Sequence, residues 1–372
     1  MSNRIKVVEF IPRLVDGGAE TLVKDYVQLI DKNRFQLAVM TLWSGVDSAN
    51  EKSIRESGVV FYSIYGKTSK LKRAFHKAFG EIYVPFKMKK MFKNFNPNVM
   101  HIHLALINYT KLCGDVLNKI KLVYTCHSLP SLLLDNKRKK EGDAVRYLLN
   151  SSGIQLIALH DDMKKDIDKM FNINSTCVIH NAINLERFMS VQETKTSIRN
   201  SLGIRENAFV LGHVGRFSAQ KNHRKIINIF NTILKEEKEA HLLLVGDGET
   251  KSEIGSLAQE LNIYESITFL EKRNDIPRLM KAMDAFVFPS LFEGLGIVVI
   301  EAQAAGLKCV VSDKVPSEAF VSSNIITLSN NDDDSVWAEQ ILRGHGLQRK
   351  NRLIDYDMKN EIKKLENLYM ME

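Results

Sequence analysis

Cysteine is scarce in this chain: four in 372 residues, Cys113, Cys126, Cys177 and Cys309, with no pair at a metal-binding spacing. That sets aside a disulfide scaffold or a structural zinc site and fits a reducing compartment. No run of about 18 apolar residues occurs, so no segment is expected to span a bilayer. Met1 to Lys6 lead straight into a strand-like stretch without the apolar core of a secretory signal. Low-complexity sequence is confined to the acidic run Asn330 to Asp334, which sits where a helix starts and reads as a cap rather than a metal site. Two catalytic signatures are also missing. No Gly-x-Gly-x-x-Gly follows the opening strand, which disfavours a dinucleotide site, and no strand-turn nucleophile motif supports a Ser/His/Asp hydrolase. A cytoplasmic protein that does not cross the membrane is expected.

Positive charge is present and uneven. The net charge is +8, yet residues 1–185 hold 28 Lys and Arg against 17 Asp and Glu, while the remainder holds 24 against 27. Much of the excess lies in residues 67–93, where nine cations, Lys67 to Lys93, face the single acid Glu81. Leu71, Phe75, Phe79, Ile82 and Phe86 alternate with them, as do Val84, Met88, Met91, Phe92 and Phe95 around the segment's second half. Such a stretch can lie on an anionic membrane surface, each cation contributing roughly 1 kcal/mol, or it can be a solvated helix whose apolar side is core. No basic stripe continues elsewhere, so nucleic acid is not expected.

Apolar runs alternate with helix-period segments from end to end, the signature of strand–helix–strand units and parallel sheets. Strands are expected near Lys6–Ile11, Phe35–Thr41, Val59–Ile64, Val99–His103, Lys121–Thr125, Ile154–Leu159 and Cys177–Ile179. The pattern restarts with Val210–Val214, His241–Val245, Ile267–Phe269, Ala285–Phe288, Lys308–Val311 and Ile325–Thr327. Asn184–Gly203 is polar and strandless, the best candidate for a linker. The expected architecture is α/β: doubly wound domains over residues 1–185 and 186–355, facing a cleft between them, with a helix over 356–372 that could pack back on the first.

Four loops carry the chemistry. After the strand ending at Val214 come Gly215-Arg216 and Lys221; a guanidinium and an ammonium at a strand's C-terminal end can clamp a diphosphate and stabilise it as a leaving group. Glu293 and Glu301 flank Gly294-Leu295-Gly296 and the helix expected from Ile297 to Gly306, whose first amides, Leu295 to Val298, suit a phosphate. Carboxylates beside a diphosphate are tolerable where they bind hydroxyls, and hydroxyl-rich groups flank the diphosphate of a nucleotide sugar. Gly17 and Gly18 link the opening strand to its helix and admit a ligand close to the backbone. His101, His103 and His127 gather at strand ends; no third metal ligand is identifiable, and His103 and His127 read as groups lining a cleft. Gly246-Asp247-Gly248 is weak evidence, since the same letters make any tight turn.

In order and spacing, Gly17-Gly18-Ala19-Glu20, Thr125-Cys126-His127, Gly215-Arg216 with Lys221, and the Glu293–Glu301 pair resemble the retaining glycosyltransferases of family 4, which have the two-Rossmann GT-B fold. The resemblance spans nearly the whole chain and points toward bacterial capsule and exopolysaccharide assembly. It implies that Arg216 and Lys221 hold the donor diphosphate, Glu301 the ribose and Glu293 the sugar. The amides of Leu295, Gly296, Ile297 and Val298 meet phosphate or sugar, His127 lies near the anomeric centre, and Gly17 and Gly18 close on the phosphate. It further implies transfer of a hexose or N-acetylhexosamine, with UDP the expected carrier, to a lipid-linked or growing glycan. The enzyme would sit peripherally on the inner face of the membrane through residues 67–93, with no cofactor and no metal. A nucleotide-sugar 2-epimerase of the same fold and a non-catalytic nucleotide-sugar-binding subunit are the alternatives. Two departures stand out: His180-Asn181-Ala182 replaces a common Pro-Asn-Gly, and Gly306-Leu307-Lys308 a common Gly-Leu-Pro.

Overall fold

A computed structural model describes residues 4–15, 17–45, 48–127, 130–133, 135, 138–346 and 351–371. They form two compact units, Met1–Ala182 with Met358–Glu372, and Ile183–Asp357.

The first unit is built on strands β1 (Ile5–Ile11), β2 (Phe35–Thr41), β3 (Val60–Ser63), β4 (Val99–His103), β5 (Lys121–Thr125), β6 (Gln155–Ala158) and β7 (Cys177–Val178). All pair in parallel, in the order β3-β2-β1-β4-β5-β6-β7. The runs are apolar because helices cover both faces, which leaves little room for the alternation of a one-sided sheet. Leu22, Val23, Tyr26 and Val27 of the helix Gly18–Leu29 join this core. So do Ile362, Leu365, Leu368 and Tyr369 of the last helix, Met358–Met370. Polar ties hold that helix in place: Glu361 accepts from the His180 amide at 2.7 Å, Glu366 from the Asp31 amide at 2.8 Å, and Lys121 Nζ donates to the Leu368 carbonyl at 2.6 Å.

The basic segment is mostly one helix, Lys70–Phe95, capped by the Ser69 hydroxyl. Its two faces differ in burial. Val84, Met88, Met91, Phe92 and Phe95 are core. Leu71, Phe75, Phe79, Ile82 and Phe86 are 41–80% exposed, and steps of three and four residues align them in one stripe opposite the buried side. Among the described residues no helix is long and apolar enough to cross a membrane.

The second unit carries β8 (Val210–Val214), β9 (His241–Val245), β10 (Ile267–Leu270), β11 (Ala285–Phe288), β12 (Lys308–Ser312) and β13 (Ile325–Leu328), in the parallel order β10-β9-β8-β11-β12-β13. Alternate residues feed two separate cores: Phe286 and Phe288 on one side of the sheet, Ala285 and Val287 on the other.

Two expectations are corrected here. Residues 184–203 are not an open linker but the helices Leu185–Met189 and Lys195–Ser201 of the second unit. Their polar sequence hides a packed anchor, the buried Arg199 guanidinium, which donates to Asp284 at 2.6 Å and to the Ala282 and Glu206 carbonyls at 2.9 and 2.6 Å. The acidic run does not cap its helix, Asp334–Arg343, through the N-cap side chain. Asp332 instead accepts from the Ser329 amide at 2.8 Å, and Asp334 pairs with Lys225 at 2.8 Å.

In both sheets the strand order reverses once, between β1 and β4 and between β8 and β11. Ligands of open parallel sheets bind beyond the strand C-termini at such a reversal.

Candidate functional site

In the second unit the reversal is flanked by the loops after β8 and β11. They are tied together: the Leu291 amide donates to the Gln220 carbonyl at 2.8 Å, and Gln220 Nε2 to the Phe292 carbonyl at 2.8 Å. Lys221 from one loop and Glu293 from the other form an ion pair at 2.5 Å, their side chains 17% and 8% exposed. The ammonium also sits 4.6 Å from the Phe288 ring centroid, so packing and charge both fix its position. The helix Ile297–Ala304 starts at Gly296, whose φ of 80° is the left-handed conformation that glycine adopts without penalty. No side chain caps its first turn, which leaves an N-terminus suited to an anion, while Leu295 packs into the core below. Glu301 stands one turn along the helix, partly buried.

Arg216 and Lys221 are placed in different ion pairs. The Arg216 guanidinium, largely exposed, reaches Glu249 of the β9 loop at 3.0 and 3.2 Å. Glu249 is held below the usual carboxylate range by its own backbone amide and by Arg216. This corrects the weight given to Gly246-Asp247-Gly248. The loop docks on residues 215–217, with the Phe217 amide donating to the Asp247 carbonyl at 3.0 Å. A side chain on Gly246 or Gly248 would overlap the Gly215 or Phe217 carbonyl. Beneath these loops His213 and His223 are buried, and burial pushes both down, His223 to about 4, with Lys221 adding to the effect.

In the first unit Gly17 caps the helix Gly18–Leu29 without a side-chain bond. A Cβ on Gly17 would press on the Glu20 carboxylate, whereas the space beside Gly18 is open. Asp16 and Ser128, their neighbours in the motifs, lie outside the described residues.

The histidines form one hydrogen-bonded network around a group the sequence reading missed, Glu9 of β1. Glu9 is fully buried and in register with His101 across the β1–β4 pairing. Its Oε2 is 2.8 Å from His103 Nε2 and 3.3 Å from His101 Nδ1. Its Oε1 accepts from the Tyr369 hydroxyl at 2.9 Å. His103 Nδ1 lies 2.9 Å from His127 Nε2, and His101 Nε2 2.7 Å from Thr125 Oγ1. Burial alone would raise Glu9, but the imidazoles outweigh it and hold it far below the carboxylate range. Burial lowers His103 to about 4, assisted by His101 and opposed by Glu9; His127 is lowered by burial, His103 and His101. Ligating atoms of Glu9, His101 and His103 lie within 4.8 Å of one another, so Glu9 is the third donor that the sequence reading did not find. A lone acid within the apolar run Val7 to Ile11 was the available signal, because a buried charge requires partners.

The sequence-read residues thus gather at the strand C-termini, Arg216, Lys221, Glu293, Leu295–Val298 and Glu301 on the second sheet and Gly17, Gly18 and His127 on the first. The family models agree in sequence: "Glycosyltransferase Family 4" matches residues 16–187 and "Glycosyl transferases group 1" residues 194–343. The glycosyltransferase EpsF of Bacillus subtilis is 26% identical over 99% of this chain and 97% of its own length. The UDP-Gal:alpha-D-GlcNAc-diphosphoundecaprenol alpha-1,3-galactosyltransferase of Escherichia coli is 26% identical over 76% of this chain and 77% of its own. Among solved structures, HepE of Anabaena in complex with UDP-glucose superposes with a TM-score of 0.77 at 18% identity, covering 99% of this chain and 100% of that one. Two Rossmann-like parallel-sheet units joined in this order are the GT-B fold, and the chain belongs to the family 4, group 1 glycosyltransferases as a transferase enzyme.

Proposed function

We propose that the enzyme moves a hexose or N-acetylhexosamine from a UDP-sugar to a lipid-linked or growing glycan in capsule or exopolysaccharide synthesis, with retention of anomeric configuration. The observation that carries the donor half is the Lys221–Glu293 pair set beside the uncapped N-terminus of the helix Ile297–Ala304. It supplies a fixed cation and free amides where a diphosphate leaves, and a carboxylate where sugar hydroxyls need an acceptor. Arg216 adds a second cation by exchanging Glu249 for phosphate, and Glu301 takes the ribose hydroxyls. Gly17 and Gly18 approach the phosphate, and His127 serves the sugar. HepE was solved with UDP-glucose and the Escherichia coli relative is named for a UDP-galactose donor, which supports the uridine assignment.

In the transfer, the acceptor hydroxyl attacks the anomeric carbon on the face from which the diphosphate departs. The bond from that carbon to the β-phosphate oxygen breaks, and this oxygen takes the hydroxyl proton. Arg216, Lys221 and the helix amides carry the charge that develops, the work a metal ion does elsewhere.

The acceptor half rests on the Lys70–Phe95 helix. Its exposed stripe, Leu71 to Phe86, interleaved with cations, fits the inner leaflet of a membrane that holds a diphosphoprenyl-linked glycan. A 2-epimerase acting on free donor has no use for that stripe. Calorimetry in EDTA with UDP-, GDP- and ADP-sugars, and Lys221→Ala as control, tests the donor half. One donor bound and lost in the variant is the expected result; no donor bound shifts the reading to a supporting subunit. Product NMR then reports the anomeric configuration, and inversion ends the retaining assignment.

A further inference from the structure

Glu9 is a carboxylate with no exposed surface, in a strand that otherwise reads Ile-Lys-Val-Val-Phe-Ile. Leaving such a charge inside a protein costs several kcal/mol unless donors surround it. Two do, the Tyr369 hydroxyl and His103 Nε2, while His101 Nδ1, 3.3 Å from the carboxylate, lies 2.6 Å from the Tyr369 oxygen. The consequence runs outward along one line of bonds. An ionised carboxylate only accepts, so His103 Nε2 carries a hydrogen. His103 is held neutral by burial and by His101, and a neutral imidazole has one hydrogen, so its Nδ1 is an acceptor. The group 2.9 Å from that nitrogen is His127 Nε2, which must therefore donate. His127 is neutral as well, and its second nitrogen, Nδ1, is left without a hydrogen, on a residue that is partly exposed.

We propose that Glu9 and His103 are positioning residues: they fix His127 in the tautomer protonated on Nε2, so that Nδ1 is presented as a hydrogen-bond acceptor to a hydroxyl of the donor sugar or of the incoming acceptor. Tyr369, on the C-terminal helix, locks the carboxylate end of the chain and makes that helix part of the site's support. The tautomer assignment stands on the line of bonds from Glu9 to His127 together with the neutrality that burial imposes on His103; its use rests on the reading of His127 as the sugar-facing group. The selectivity follows from the sign: a bare nitrogen welcomes a hydroxyl and repels a carboxylate or phosphate at the same position. A cation held by Glu9, His101 and His103 would take the His103 nitrogen and break the chain, so the two arrangements exclude each other.

The test is two-bond 1H–15N correlation of the full-length protein labelled with 15N-histidine, in EDTA and after addition of zinc, for the wild type, Glu9→Gln and Tyr369→Phe. In the wild type His127 is expected with Nε2 protonated and Nδ1 bare, unchanged by zinc. In Glu9→Gln the carboxylate no longer dictates the direction of the chain, and a population of His127 protonated on Nδ1 is expected to appear. Transfer should then fall at least tenfold, while UDP binding by calorimetry changes less than twofold; Tyr369→Phe should lie between. A structural role alone would lower stability without moving the tautomer. Wild-type His127 protonated on Nδ1, or zinc bound one to one with loss of the His103 bond, overturns the proposal even if Glu9→Gln does not fold. A shifted tautomer with unchanged transfer overturns the role at the sugar. Should no nucleotide sugar bind while the wild-type tautomer is as assigned, the function reading fails and the chain of bonds stands.

Discussion

The two units reverse strand order at equivalent points, yet their strand ends handle polarity in opposite ways. In the second unit, charges neutralise one another in pairs, Arg216 with Glu249 at the surface and Lys221 with Glu293 largely covered. In the first, a single anion is buried completely and surrounded by imidazoles and a tyrosine. The difference matches two tasks. A diphosphate requires cations that can exchange one partner for a stronger one, so those cations are held in place by carboxylates they can release. Uncharged hydroxyls require donors and acceptors of fixed direction, and direction is best fixed out of water, where a hydrogen bond has no competitor.

The largest test of this contrast is Lys221→Ala. Transfer should fall on the order of 10²–10³-fold, the usual loss when a group facing developing charge is removed. Glu293→Gln should lower the rate of transfer more than it weakens UDP binding, because the lysine then loses its partner but not its charge. Initial rates with tritiated donor, paired with UDP calorimetry, separate the two. Near-normal turnover in Lys221→Ala would break the division of labour between the units.

Next in size is membrane binding, which only the first unit should show. Replacing Lys87, Lys89, Lys90 and Lys93 with Ser removes about 1 kcal/mol per cation near an anionic surface, and partition to anionic vesicles should drop by about three decades. Residual binding should become insensitive to salt. Replacing Phe75, Phe79 and Ile82 with Gln should abolish that residue while leaving the melting temperature within about 2 °C, since those side chains are exposed and contribute little to the core. Vesicle co-sedimentation reads both, and unchanged binding removes the membrane reading. Arg216→Ala belongs below these, about a tenfold loss in transfer, because Arg216 is exposed and already engaged with Glu249. Glu249→Gln should leave donor affinity equal or slightly higher by calorimetry, and a marked loss would mean that Glu249 itself touches the ligand.

Much of this was legible in the sequence. The thirteen strands among the described residues show as largely apolar runs because a parallel sheet covered on both faces is mostly apolar, and the loops of the site follow from where the runs stop. Lys221 and Glu293 were readable as site residues, but not as each other's partner, since 72 positions separate them and only the adjacency of β8 and β11 joins them. Glu9 was missed although its signal was present. Tyr369 could not have been found, because no local pattern ties a C-terminal helix to the first strand. Residues 184–203 misled for the opposite reason: Arg199 looks like a solvated cation in sequence and is a buried anchor in the fold. The basic helix was ambiguous because one of its faces is core and the other is an exposed apolar stripe.

The smallest expected effect sharpens the comparison on the side of stability. His103 and His127 in the first unit, and His213 and His223 in the second, all titrate below the ordinary histidine range because burial disfavours the cation. As pH falls below about 6.5, the unfolded chain binds protons that the folded chain refuses. Stability therefore declines from there to about pH 4, by up to ~1.4 kcal/mol per pH unit for each such histidine. Glu9 behaves differently: its depressed value keeps its contribution intact above the ordinary carboxylate range, to be lost only as pH falls toward the folded value. In the first unit His103 is bonded, so replacing it also removes a hydrogen bond. In the second, His223 stacks on Phe217 at 4.0 Å between ring centroids, and neither of its nitrogens has a hydrogen-bond partner among the described residues. His223→Phe should therefore raise stability at pH 7 by about 1 kcal/mol, through loss of an unsatisfied buried group, and flatten the decline between pH 6.5 and 4 by up to ~1.4 kcal/mol per unit. Urea unfolding at pH 7, 6 and 5 measures both, and a slope identical to the wild type would show that His223 finds a partner as the pH falls.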